Sequence, residues 1–288
     1  MQAAELPTRR DEAWKYSDLR AALAADKPAQ RDGRDVIERL ARETQSVRVP
    51  AGEARTCVET MDSASLDACA VDFYLEAGAS LTRIVVQNSQ APALSIARVK
   101  LATGARFQQF ILAEGAKLAR VETHVDVEGE GASVELNGVY MCAEGRHADL
   151  TSTITHKVPN ATTRQLIKGV SRKGGTGVFQ GKIVVEQPAQ KTDARQYHHG
   201  LLLEEGAAVF AKPELLIHAD DVQCAHGNTA GAIDENALFY ARSRGVPEQQ
   251  ARAMLIEAFL LEAVPEDLPE EIRADLLMRI QTWLGAGS

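Results

Sequence analysis

Between about Thr56 and Gly231 the chain is built of short runs in which β-branched and other apolar residues gather. Examples are Arg83-Ile84-Val85-Val86, Phe107-Gln108-Gln109-Phe110-Ile111-Leu112 and Lys182-Ile183-Val184-Val185-Glu186. Runs of this length and composition predict strands and argue against prolonged helix. A degenerate repeat punctuates them: Gly78-Ala79-Ser80-Leu81, Gly104-Ala105-Arg106-Phe107, Gly115-Ala116-Lys117-Leu118, Gly131-Ala132-Ser133-Val134 and Gly206-Ala207-Ala208-Val209. Each opens a strand after a turn. Glycine accepts a positive φ and so turns a corner, the small alanine follows inside a tight coil, and the next apolar residue but one points inward. Stacked coils would bury these positions together. The pattern therefore predicts a β-solenoid over residues 51–231, with a β-sandwich as the competing architecture.

The flanks follow a different period. Asp35-Val36-Ile37-Glu38-Arg39-Leu40-Ala41 has apolar residues at helical spacing, within an N-terminal segment, residues 1–50, that reads as short helices broken at Pro28 and Gly33. After Gly231, Asp234 is the expected N-cap and Gly245 the expected C′ stop of a helix containing Leu238-Phe239-Tyr240. A second helix after Pro247 carries Met254, Leu255, Ala258, Phe259 and Leu261; a third carries Ile272, Leu276, Leu277, Ile280, Trp283 and Leu284. Both have amphipathic spacing, so residues 232–288 are expected to form a helical domain.

Composition narrows the function classes. The chain has 288 residues, 45% of them hydrophobic and 25% charged, as expected of a folded protein with a sizeable core. Its 32 basic and 40 acidic side chains give a net charge of −8, which offers no electrostatic basis for binding nucleic acid. From Asp234 onward there are ten acidic and five basic residues, so most of the excess negative charge lies in the C-terminal helices. Met1 to Arg10 has no apolar core of the signal-peptide kind, and Ala253 to Val264 is interrupted by Glu257 and Glu262. A cytoplasmic protein without a membrane span is expected. The four cysteines, Cys57, Cys69, Cys142 and Cys224, form no Cys-x-x-Cys pair, so free thiols are expected and a self-contained cluster site is not.

Among residues that could carry chemistry, Cys224 and His226 are two apart and on a strand would share one face, where thiol and imidazole could approach one metal ion. Two ligands make half a site, and a buried thiol beside a hydrogen-bonded histidine is the plainer reading. Asp220 and Asp221, and likewise His198 and His199, are adjacent, so on a strand each pair would diverge. A metal-dependent hydrolase or lyase using His198, His199 or Asp221 remains an alternative. Lys173-Gly174-Gly175-Thr176-Gly177 lacks the ordered spacing of a phosphate-binding loop and reads as a corner. No Gly-x-Ser-x-Gly elbow is present.

Three stretches resemble the SufB/SufD family of the SUF iron–sulfur cluster assembly machinery. They are Asp11-Glu12-Ala13-Trp14-Lys15-Tyr16-Ser17-Asp18-Leu19; Phe179-Gln180-Gly181-Lys182-Ile183 with Gln190-Lys191-Thr192-Asp193-Ala194; and a C-terminal run. That run comprises Lys212-Pro213-Glu214-Leu215, Ala219-Asp220-Asp221-Val222-Gln223-Cys224-Ala225-His226-Gly227, Asp234-Glu235 and Leu238 to Gly245. Where SufB-like chains carry a Glu-His-Glu-Ala type sequence this one has Cys-Ala-His-Gly, so it is more similar to the SufD branch. The N-terminal helical part looks abbreviated beside familiar members. The resemblance implies a right-handed parallel β-helix that pairs with SufB, and a C-terminal helical domain that binds the SufC ATPase, which hydrolyses ATP. This chain would be a non-catalytic scaffold with no permanently bound cofactor. His226, with Cys224 beside it, would help form a transient nascent iron–sulfur cluster at the SufB interface. Leu238, Phe239, Tyr240, Arg242 and Arg244 would present the SufC-binding helix. A homodimer pairing through the solenoid edge is a further alternative.

Overall fold

The computed structural model describes residues 5–23 and 28–285; Met1–Ala4, at the start of the expected N-terminal segment, residues 24–27 and residues 286–288 lie outside this description. Fourteen strands run through the described chain. The first seven are β1 (Thr44–Val49), β2 (Ala54–Met61), β3 (Asp67–Leu75), β4 (Ser80–Gln87), β5 (Ala93–Leu101), β6 (Arg106–Ala113) and β7 (Ala119–Val127). Then come β8 (Ser133–Cys142), β9 (His147–His156), β10 (Thr162–Ser171), β11 (Thr176–Val185), β12 (Asp193–Leu202), β13 (Ala208–Ile217) and β14 (Gln223–Gly231). Odd-numbered strands form one seven-stranded sheet and even-numbered strands the other, each strand paired in parallel with the strand two before or two after it. The result is a β-solenoid, mainly β, with helices at both ends.

The corners explain the coil. Gly78, Gly104, Gly115, Gly131 and Gly206, the first residues of the sequence repeat, all have φ between +64° and +84°. The alanines after the first four are buried, and Leu81, Phe107, Leu118 and Val134 are buried two places further on. Side chains of alternate parity fill the interior between the sheets: Phe73, Val99, Leu136 and Ile183 belong to one continuous apolar cluster there. β1 lies inside the 1–50 segment expected to be helical, yet it is already a strand, paired with β3. Glu43 to Arg48 has Val47 as its single apolar residue, too little alternation to read as a strand.

Each outer sheet face is covered by an end of the chain. The N-terminal segment includes a 3-10 turn at Glu12–Trp14 and the short helices α1 (Leu19–Leu23) and α2 (Val36–Leu40), whose N-cap Asp35 accepts from the Glu38 N–H. Trp14, Leu19, Leu23, Ile37 and Leu40 pack on Leu94 and Ile96 of the odd sheet. The C-terminal helices are α3 (Glu235–Ser243), α4 (Glu248–Leu261) and α5 (Glu270–Gly285). Asp234 caps α3 by accepting from the N–H groups of Asn236 and Ala237, and Gly245 follows the helix at φ +87°. Ile256, Leu260, Leu276 and Ile280 close over Ile84, Phe110, Val139 and Val170 on the even sheet. Arg172 stacks on Trp283 with its guanidinium 4.1 Å from the ring centre. No described helix is long and apolar enough to cross a membrane.

Candidate functional site

β14 ends the even sheet and β13 ends the odd one, so each has a strand on one side only. Together they form the mouth of the solenoid. Most of β14 is exposed. Phe210, Leu216 and Ile217 of β13 are exposed too, although the Phe210 ring stacks on Tyr16 at 5.3 Å.

Parity places Cys224 and His226 on the inward face of β14. Val222 and Cys224 pack, half-buried, against the interior cluster, and His226 shares their face one step nearer the middle of the strand. Burial pushes the Cys224 thiol above its usual range, so at neutral pH it is protonated. His226 is exposed at the mouth. In the parallel register Cys224 stands over Ala194, His226 over Gln196 and Asn228 over His198.

Beneath this layer lies a polar column. Gln196 and His198 are wholly buried. The His198 ring is sandwiched between Phe179, 5.2 Å away, and Tyr140, 5.9 Å away, and its Nε2 is 3.0 Å from the Tyr140 hydroxyl. Burial, with a smaller contribution from His199, lowers its pKa to about 4. Tyr140 fits because Gly169 and Gly200 follow it in register on β10 and β12. A Cβ on Gly169 would fall 1.9 Å from the ring, and one on Gly177 2.0 Å from it.

The other candidates do not converge. His199 points outward and meets Thr229 Oγ1 at 2.7 Å. Asp221 is exposed and pairs with Lys191. His198, His199 and Asp221 therefore form no common site. Lys173 to Gly175 lie in the corner between β10 and β11, with Gly174 at φ +72°, and Thr176 and Gly177 begin β11. Among the described residues no group of three or more His, Cys, Asp or Glu side chains is placed to hold a metal ion.

On α3 and its C-cap Arg244 the five residues named for the SufC-binding helix separate. Leu238 is 2% exposed and anchors the helix, whereas Phe239 and Tyr240 are 72% and 62% exposed. Arg244 lies over the Tyr240 ring, and Arg242 pairs with Glu248 at 3.4 Å. Leu238 is thus unavailable for docking.

Sequence reasoning did not find a buried ionic cluster under the N-terminal segment. Arg120 of β7 is fully buried; it pairs with Asp149, donates to Glu122 at 2.7 Å and to the Ala13 carbonyl at 2.8 Å, and lies 4.1 Å from the Trp14 ring centre. Ser17 donates to Asp149 and lies 3.0 Å from His147 Nε2. Ser17, His147 and Asp149 suggest a hydrolytic triad, but the carboxylate meets the serine and the hydroxyl is wholly buried, so the group fastens the chain end and presents no nucleophile. Burial raises the cost of the Glu122 charge, and the Arg120 and His124 side chains overcome it, holding the carboxyl at about 2.

The family model for the SUF system FeS cluster assembly SufBD core domain matches residues 35–259. The iron–sulfur cluster assembly protein SufD of Escherichia coli is 36% identical over 174 residues, covering 60% of this chain and 41% of that protein. An iron–sulfur cluster assembly SufBD family protein of Synechocystis is 34% identical over 199 residues, covering 67% of this chain and 44% of the relative. Another, from Mycobacterium leprae, is 28% identical over 221 residues, covering 73% and 56%. The matched part thus spans less than two thirds of the length of each of these relatives. With the family match running from α2 through the β14 mouth into α4, the chain belongs to the SufBD family of SUF-system iron–sulfur cluster assembly proteins.

Proposed function

We propose that this chain is a non-catalytic scaffold subunit in a SufB–SufC–SufD type assembly that builds iron–sulfur clusters. The carrying observation is the Cys224-Ala225-His226-Gly227 segment of a SufBD core, held on an edge strand with one side unpaired. An edge strand is a ready template for pairing with another chain. The exposed apolar residues of β13 add the desolvated area that such an interface needs. The SufB-like core docks at this mouth. His226 supplies an imidazole ligand to the nascent cluster, which is cargo, and SufB supplies the remaining ligands. Cys224 stands behind His226 as a half-buried thiol. The C-terminal helices, through Phe239, Tyr240, Arg242 and Arg244, take the SufC-like ATPase, where ATP is hydrolysed. Without SufB, the same edges pair with a second copy of this chain.

The test is anaerobic co-expression with SufB-like and SufC-like partners, followed by iron and sulfide analysis. Recovery of neither partner would sink the assignment. His226→Ala is expected to leave the assembly intact and to lower its iron and sulfide content; unchanged content would remove His226 from the mechanism. Light scattering on the chain alone tests self-pairing.

A further inference from the structure

Directly below His226 in the parallel register is Gln196, a wholly buried side chain. Its Nε2 donates to the Gly181 carbonyl across the interior at 3.3 Å. Its Oε1 is buried and has no donor among the described residues. The amide lies flat against β11 because position 181 is glycine: a Cβ there would fall 2.5 Å from Oε1. An acceptor left without a donor in the interior is costly, so a neighbouring side-chain donor that is free to rotate gains by turning toward it.

The layer above can supply that donor from one side only. On β13 the inward residues share the parity of Leu215, which packs in the interior; they are Ala211, Pro213 and Leu215, and none carries a side-chain donor. On β14 the residue in register is His226, whose ring makes no hydrogen bond among the described residues. Adjacent strands stand about 4.8 Å apart, within the combined reach of a glutamine amide and an imidazole. A neutral imidazole has one N–H and one bare nitrogen, and whatever accepts the N–H decides which nitrogen can bind a metal.

We infer that Gln196 is a positioning residue for His226: its Oε1 accepts one ring N–H, holds the neutral imidazole in one tautomer and leaves the other nitrogen facing out of the mouth as the ligand. This rests on the reading of His226 as a cluster ligand. Gln196 touches no iron; it acts through His226.

The test separates the two claims. Nitrogen NMR of the histidine-labelled chain at pH 8.5, with His226 identified by loss of its signals in His226→Ala, reads the tautomer without metal or partner. The expected result is one dominant tautomer in the unsubstituted chain, a mixture in Gln196→Met, which keeps the volume and loses the acceptor, and restoration in Gln196→Glu. A mixture in the unsubstituted chain, or an unchanged tautomer in Gln196→Met, overturns the inference. In the anaerobic complex with SufB-like and SufC-like partners, Gln196→Met is expected to lower cluster iron at limiting ferrous iron about tenfold, and Gln196→Glu to recover it. If the tautomer follows Gln196 while His226→Ala loads iron normally, the ligand reading fails and the positioning stands.

Discussion

The Tyr140 hydroxyl meets His198 Nε2 at 3.0 Å inside the solenoid, between residues 58 apart in sequence. His198 Nδ1 has no hydrogen-bond partner, so this contact is the ring's one polar anchor among the described residues. Tyr140→Phe keeps the ring in its glycine-lined slot and removes that anchor. The expected loss is about 1–3 kcal/mol in urea unfolding, the cost of leaving a buried polar atom unpaired. Gly169→Ala attacks the same ring sterically and is expected to cost more. A Tyr140→Phe protein as stable as the unsubstituted one would show that the bond contributes nothing.

Arg120 and Asp149 are both fully buried, and the segment around Ala13, Trp14 and Ser17 is fastened to them. Removing one partner of a buried pair strands the other charge and typically costs 3–5 kcal/mol. Glu122 still holds Arg120 from the other side, so Asp149→Ala is expected near the lower end, about 3 kcal/mol. The loss should be local first. Limited proteolysis should cut near Thr8 to Tyr16 before the strands open; an uncut N-terminus in that variant would detach the cluster from the role of a fastener.

The corners were legible in the sequence because glycine is nearly alone in tolerating their geometry, and five glycines of the repeat all have positive φ. Lys191 at φ 63° adopts the same sign with a side chain that rarely does so, and Asn160 at φ 61° with one that tolerates it but sits in many other conformations, so composition could not announce them. The opposite directions of His198 and His199 followed from strand parity. Their partners did not: Tyr140 is 58 residues from His198, and the Ala13 carbonyl is 107 residues from Arg120. Stacking in a solenoid depends on coil lengths, and these vary. The resemblance names the helix that carries Leu238, Phe239 and Tyr240 but not its orientation; consecutive residues lie about 100° apart on a helix, and only the packing shows that Leu238 is the one turned inward. The mouth was visible through the Cys224 to Gly227 resemblance, whereas Gln196 beneath it needed the register.

Two buried histidines steepen the acid limb of stability, and burial lowers His147 and His199 in the same direction. Burial lowers His156 and His198 from an ordinary 6.5 to about 4. Between those values the unfolded chain takes up protons that the native chain refuses, so stability falls as pH drops from 6.5 toward 4, by roughly 3 kcal/mol for each fully coupled group. Below about 4 both states are protonated and this slope vanishes. Glu122, held at about 2 against an ordinary 4.5, acts in the next window: its contribution is present above 4.5 and is lost as pH falls toward 2. Urea midpoints at intervals from pH 7 to 3 should show both limbs. His156→Gln keeps a side chain that can bond to Thr163 and removes one titration, so it should flatten the upper limb; an unaltered slope would contradict this assignment.

Phe239 and Tyr240 stand exposed on α3 while Leu238 pins the helix from beneath, so the proposed docking of the ATPase can be tested apart from folding. Exposed aromatics in an interface core are frequent hot spots, worth 2 kcal/mol or more each when buried by a partner. The double variant Phe239→Ser with Tyr240→Ser is therefore expected to unfold at the same urea concentration as the unsubstituted chain. Its affinity for the SufC-like ATPase should weaken at least about 30-fold, the ratio that roughly 2 kcal/mol represents. Leu238→Ala is expected to weaken both, because a cavity beneath α3 costs about 2–5 kcal/mol and loosens the platform on which the aromatics sit. Calorimetric titration with the ATPase, paired with unfolding of each variant, reads the two effects apart. Full affinity in the double serine variant would exclude this face of α3 as the docking surface.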